Sequence, residues 1–138
     1  MKIHVIGIGD TGAKITQEMC SAGHTVNAVD VWKNSFEKLP PELVDTKYIN
    51  IIHGDGNKKE MINVLNIETS DLIFVCTGND SLNGIIAQKI STIHNIPEKN
   101  ITILVKDIYI ENLYRSLGFL VFNKIDSISN QIIKLIKW

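Results

Sequence analysis

The stretch KIHVIGIGDTGAKITQEMCSAGHTVNAVD, residues 2–30, constrains the fold more than any other part of the chain. It opens with an apolar run, Ile3, Val5 and Ile6, that suits a buried strand. Gly7, Gly9 and Gly12 follow in G-x-G-x-x-G spacing, then a helical pattern, then a second short strand ending at Asp30. Each piece has a physical task in binding a dinucleotide. Gly7 permits the tight strand-to-helix turn, and the missing side chain at Gly9 lets a pyrophosphate approach the backbone. Gly12 lets the helix pack closely on the strand, and Asp30, 18 residues further on, is placed for ribose hydroxyls. The helix N-terminus supplies unpaired N–H groups and the positive end of its dipole for a phosphate. The bare alternative is a glycine-rich turn with no ligand.

The rest of the chain alternates. The first helix covers roughly 10–22 and stops at Gly23, a natural terminator. A second strand (25–29) leads to a short helix (33–39) broken by Pro40-Pro41. A third strand (48–52) ends at Gly54-Asp55-Gly56, and Asn57 is expected to cap an amphipathic helix carrying Met61, Ile62 and Leu65. An apolar fourth strand (72–76) turns through Thr77-Gly78-Asn79-Asp80 into a helix over 81–94. Its expected core stripe is Ile85, Ile86, Ile90 and Ile93. A fifth strand (101–105), a helix (107–117) ending at Gly118 and a sixth strand (120–122) follow. Residues 125–137 have the pattern of an amphipathic helix with Ile128, Ile132, Ile133 and Ile136.

Alternating strands and helices, with apolar central strands, predict an α/β fold. The expected architecture is a Rossmann-like, doubly wound parallel sheet of six strands in the order 3-2-1-4-5-6, with helices on both faces. Residues 1–124 form the expected nucleotide-binding domain and 125–138 a C-terminal amphipathic helix. With 138 residues the chain has room for one domain and none for the substrate domain of a typical dehydrogenase. A net charge of −1 does not favour nucleic acid or an anionic membrane surface. Cys20 and Cys76 lack metal-ligand spacing and read as buried thiols in a reducing compartment. No leader and no apolar run of membrane-spanning length is apparent, which predicts a cytoplasmic protein.

In such a sheet the ligand lies at the carboxyl ends of the strands. The converging segments are Gly7–Gly12, Asp30-Val31, Gly54–Gly56, Thr77-Gly78 and Val105-Lys106. Val31, Asp55 and Gly56 fall where an adenine ring would rest, although Asp55 also fits as a turn residue between two glycines. Thr77 and Gly78 suit both an approach to the ribose or pyrophosphate and a helix-initiating turn. Asp30 should accept a free 2′-hydroxyl and repel a 2′-phosphate, which disfavours NADP. Asp10 sits at the mouth of the phosphate site and is expected to cap the first helix, competing with phosphate for the same N–H groups. A triphosphate should suffer more than a diphosphate. His4, His24, His53 and His94 show no ligand spacing, and no catalytic or metal constellation emerges. The expectation is a chain that is not an enzyme and holds no metal.

The stretches KIHVIGIGDTG, GHTVNAVD, HGDGNKKEMINVLNIETSDLIFVCTGNDSLN and VKDIYIENLYRSLG resemble the RCK domain (KTN or TrkA-N), the regulatory module of Trk- and Ktr-type potassium uptake systems. The resemblance covers nearly the whole chain. It implies a cytoplasmic regulatory subunit that binds NAD(H) or an adenine nucleotide. Such a subunit would assemble as a homodimer or larger ring on a membrane potassium transporter or channel subunit. It places Gly7, Gly9, Asp10, Thr11 and Gly12 in the phosphate loop and Asp30 on the ribose. Val31, Asp55 and Gly56 would lie around adenine, with Thr77 and Gly78 flanking the ligand. Residues 125–138 resemble the helix that relatives lay across a dimer partner.

The departures concern charge. Relatives often carry arginine where this chain has Asp10, and a basic residue in the fifth strand where it has Leu104. The acid some relatives use for a divalent cation is not evident in Val121-Phe122-Asn123-Lys124, nor is the usual carboxy-terminal ligand domain. AMP or ADP is therefore expected to be favoured over ATP. Two other readings stay open: a small NAD-dependent oxidoreductase or a fragment of one, and a degenerate Rossmann scaffold without nucleotide.

Overall fold

The structure, a computed structural model, describes residues 1–123. Six strands alternate with five helices: β1 (Ile3–Ile6), α1 (Asp10–Ser21), β2 (Val26–Asp30), α2 (Pro41–Asp45), β3 (Ile49–His53), α3 (Lys59–Leu65), β4 (Leu72–Val75), α4 (Asp80–His94), β5 (Ile101–Val105), α5 (Ile108–Ser116) and β6 (Leu120–Asn123). All neighbouring strands pair in parallel, in the order β3-β2-β1-β4-β5-β6. This is the doubly wound sheet expected from the alternation. The helix expected over 125–137 lies outside the described residues.

Alternation along the strands builds two cores. On one face Ile6, Val29, Ile73, Val75, Ile101 and Ile103 pack under α3, α4 and α5. On the other, Ile3, Val5, Val26, Ala28 and Ile49 meet Ala13 and Cys20 of α1, with Phe36 and Leu39 from the following turn. The register continues that second face across the sheet, through Val5, Phe74, Thr102 and Leu120, and through Leu104 to Phe122. At its far edge Leu120 and Phe122 are 52% and 41% exposed. Among the described residues, this half of the sheet is covered less well than the half beneath α1.

Helix ends follow local chemistry. Gly23 takes φ +92°, and the N–H groups of Gly23 and His24 close α1 on the carbonyls of Cys20 and Met19 at 3.0 and 3.1 Å. The segment expected to be a short helix over 33–39 is a 3₁₀ turn, Lys33–Lys38. The two prolines do not only break it, because Pro41 starts α2 at a position where its missing N–H costs nothing.

Two expectations about helices are corrected. Asn57 does not cap α3. Its N–H folds back on Asp55 Oδ1 (2.9 Å), its carbonyl and side-chain oxygens accept from Lys89 Nζ (2.9 and 2.7 Å), and Lys58 takes the cap position. Along α4 the buried face is Asn83, Gly84, Ile86, Ala87 and Ile90, while Ile85 and Ile93 are exposed. At 100° per residue these two isoleucines fall on the far side of the helix from Ala87.

One polar row crosses the apolar sheet. His4 in β1, Asn27 in β2 and Asn50 in β3 stand in register. Asn50 Nδ2 donates to Asn27 Oδ1 (3.2 Å), and Asn27 Nδ2 faces His4 Nδ1 (3.2 Å). With Nδ1 accepting, His4 carries its proton on Nε2 and donates it to Asp71 Oδ2 at 3.0 Å. Asp71 also accepts the N–H of Lys2 and of Glu68, each at 3.0 Å. His4 and Asp71 are both buried. The row lies at the amino-terminal end of the sheet, away from the strand ends where a ligand would enter.

Candidate functional site

The carboxyl ends of β1 to β5 surround one cleft of about 570 Å³. Gly7, Gly9, Asp10, Thr11, Asp30, Val31, Asp55, Gly56, Thr77 and Gly78 all line it. Gly12 does not. It sits behind the wall, where an added Cβ would lie 1.9 Å from the Gly7 carbonyl oxygen, so its role is the close contact between α1 and β1. Sequence reasoning overlooked Trp32, Ser35, Asn79 and Leu82, which also line the cleft. Trp32 had a legible signal, an aromatic two residues beyond the acid that closes β2.

Close backbone packing holds the loops together. Gly7 adopts φ +98°, donates to Val29 O at 2.8 Å, and leaves room for only 2.6 Å between an added Cβ and the backbone nitrogen of Thr77. The turns after β1 and β4 thus touch. The Asp30 carboxylate accepts two backbone N–H groups, from Ile8 on Oδ2 and from Trp32 on Oδ1, both at 2.7 Å. It therefore clamps the glycine loop to the end of β2, and each oxygen retains acceptor capacity toward a ribose. Asp55 Oδ1 accepts the Asn57 N–H in an Asx turn, so the turn role weighed for it from sequence is present.

The helix α4 anchors the opposite wall. Buried Asn83 accepts the Thr77 N–H (3.0 Å) and the Thr77 hydroxyl on Oδ1, and donates to the carbonyls of Thr77 (3.1 Å) and Leu104 (2.9 Å). The Thr77 hydroxyl proton is thereby spent on the turn. Asp80 accepts the N–H groups of Lys106 and Asp107 and so fixes the loop after β5. Lys89 holds the loop after β3 through Asn57. Three loops of the cleft hang on one helix through side chains that sequence spacing did not single out.

The charge balance of the wall is acidic. Among the described residues, Asp10, Asp30 and Asp55 line the cleft with one cation, Lys106, whose Nζ donates to Gly78 O at 3.3 Å. Leu104, where relatives suggested a base, contributes apolar wall, and the cation stands two residues later. Asp10 is not the cap of α1. Gly9 occupies that position with extended backbone, and Asp10 is the first helical residue, pointing outward at 4.0 Å from Lys38. No side chain caps α1, so its first N–H groups are left to the cleft. Burial pushes the Cys76 thiol up to about 12, so this cleft residue is not a thiolate at neutral pH. Among the described residues, no group of three His, Cys, Asp or Glu side chains could hold a metal.

Comparison with known proteins decides the family. The TrkA-N domain model matches residues 3–127. The chain belongs to the TrkA-N domain family. This TrkA-N domain is 25% identical over 100 residues to the Trk system potassium uptake protein TrkA of Mycobacterium tuberculosis, an overlap of 70% of the chain and 42% of the relative. It thus spans less than half the length of that relative. Among solved structures it is similar to the TrkA-N domain of inner membrane protein ybaL from Escherichia coli, with TM-score 0.79, 11% identity, and coverage of 99% and 96% of the two chains. It is also similar to the Kef CTD of Shewanella denitrificans in an AMP-bound form, with TM-score 0.75, 14% identity, and coverage of 100% and 83%. At such identities these two likenesses establish the fold of the TrkA-N domain. No helix among its described residues is long and apolar enough to cross a membrane.

Proposed function

We propose that this TrkA-N domain binds an adenine nucleotide or NAD(H) and passes its occupancy to a membrane potassium transporter or channel subunit. The observation that carries the reading is the cleft itself. Five strand ends meet there, Asp30 closes β2 with both oxygens aimed along the wall, and an uncapped helix N-terminus faces the space. The likeness to an AMP-bound structure and to a potassium uptake protein supports it. The residues in contact with ligand are Gly7, Gly9, Asp10, Thr11, Asp30, Val31, Asp55, Gly56, Thr77 and Gly78, with Gly12 acting behind them. The carboxylates of Asp30 and Asp55 in the wall, with Asp10 exposed at the mouth, stand against Lys106 and favour AMP, ADP or NAD(H) over ATP. Regulation works by population shift, the nucleotide favouring one of two arrangements of paired domains. The chain works in the cytoplasm as a homodimer or ring and is not an enzyme.

Thermal unfolding with NAD⁺, NADH, ATP, ADP and AMP tests this directly. A ligand at a hundred times its Kd adds about 2.7 kcal/mol, a rise in Tm of about 10 °C for a domain of this size. No rise with any nucleotide at millimolar concentration would refute the reading.

Gly9→Ala separates ligand contact from fold. An added Cβ at Gly9 meets nothing within 4 Å, and the residue has φ −81°. Stability should change by less than about 1 kcal/mol, the scale of a helix cap. Nucleotide affinity should fall about tenfold or more, because a methyl group occupies the path by which phosphate reaches the backbone. Unchanged affinity by calorimetry would remove Gly9 from the phosphate site.

A further inference from the structure

Trp32 is 74% exposed, yet it lines the cleft beside Val31, itself 55% exposed. Exposed apolar side chains also occur elsewhere on this surface, and what sets Val31 and Trp32 apart is their place at the rim of the cleft. The backbone around them is anything but loose. The Trp32 N–H is held by Asp30 Oδ1 at 2.7 Å, and its carbonyl accepts the Ser35 N–H at 3.0 Å. The carbonyl of Val31 lies 3.0 Å from His53 Nε2. A fixed main chain thus presents a large aromatic face that lacks cover, and the carboxylate that fixes it is the one proposed for the ribose.

We infer that Trp32 is the base-stacking residue of the cleft, a platform on which the ring of a bound nucleotide lies. The inference rests on the nucleotide reading above and extends it to what recognises the base. A base joined to a ribose on Asp30 projects beyond the end of β2, toward Val31 and Trp32. Stacking on an indole needs only a π face and removes apolar surface of both rings from water. Trp32 therefore distinguishes a nucleotide from a sugar phosphate, while Asp30 reads the sugar. Shared fixation by one carboxylate keeps the two elements in register with each other.

The test compares AMP with ribose 5-phosphate, which keeps the ribose and phosphate and lacks the base. Calorimetry on the full chain should show AMP bound about tenfold more weakly by Trp32→Ala. Ribose 5-phosphate should bind the two proteins alike, and Trp32→Phe should recover most of the loss. The chain has two tryptophans, so Trp138→Phe leaves Trp32 as sole reporter, and AMP should quench its fluorescence where ribose 5-phosphate does not. If wild type binds AMP and Trp32→Ala binds it equally, stacking is wrong and the nucleotide reading stands. An equal loss for both ligands also overturns stacking, in favour of a disturbed loop after β2. A wild-type chain that binds no nucleotide overturns both.

Discussion

Gly12→Ala is expected to cost about 3 kcal/mol of stability, the upper range for overpacking a fixed site. An alanine Cβ at this position would lie 1.9 Å from the Gly7 carbonyl oxygen, 3.0 Å from the Gly7 carbonyl carbon and 3.5 Å from a Val5 methyl. The first neighbour is backbone and cannot rotate away. Gly7 is itself pinned, by its bond to Val29 O and by its positive φ, which leaves α1 as the part that must move. Moving α1 outward loosens Ala13 and Cys20 from the core they share with Val5 and Ala28. Alanine's better helix propensity returns about 1 kcal/mol, too little to offset the displacement. Urea unfolding of both proteins measures the difference. A loss below about 1 kcal/mol would mean that the helix gives way easily and that the glycine is not needed for packing.

Asp71→Ala should be comparably damaging, about 3 kcal/mol, the upper range for leaving a buried donor without its acceptor. The carboxylate satisfies three donors, the N–H groups of Lys2 and Glu68 and the Nε2–H of His4. Its removal leaves the buried His4 Nε2–H without an acceptor, while the part-buried N–H groups of Lys2 and Glu68 lose theirs nearer the surface. The same pair sets an acid limit on the fold. Burial holds the His4 imidazole below its usual pKa of 6.5, a shift that the hydrogen bond and charge of Asp71 only partly oppose. Protonation would also forfeit the acceptor at Nδ1 that meets Asn27. For Asp71, burial disfavours the charge, but the Glu68 N–H, the His4 ring and the Lys2 N–H outweigh it and hold the carboxyl below 3.8.

Both shifts act in one direction. As the pH falls below 6.5 the unfolded chain takes up the histidine proton before the folded chain does, and stability declines. It declines again as the pH passes below 3.8, where the unfolded carboxylate is protonated first. Urea midpoints between pH 7.5 and 5 should therefore fall steadily. A midpoint that stays level or rises toward pH 5 would contradict a neutral, buried His4.

What the sequence by itself determined was everything carried by short-range pattern. Period-two and period-3.6 hydrophobicity marked the strands and all helices of the described residues except α2, and their alternation led to the strand order. The glycine spacing and Asp30 placed the turn after β1 and the acid at the end of β2, because turn geometry and strand length are properties of adjacent residues. Ten of the eleven residues picked for the site border the one cleft. Only the tertiary structure decided which polar side chains hold that cleft in shape. Asp80 reaches residues 26 and 27 positions away, Lys89 reaches 32, and His4 meets Asp71 across 67. It also decided the phase of α4, the outward turn of Asp10 and the open indole of Trp32. Spacing along the chain carries no trace of such pairings, since they arise when parallel strands bring distant loops to one edge of the sheet.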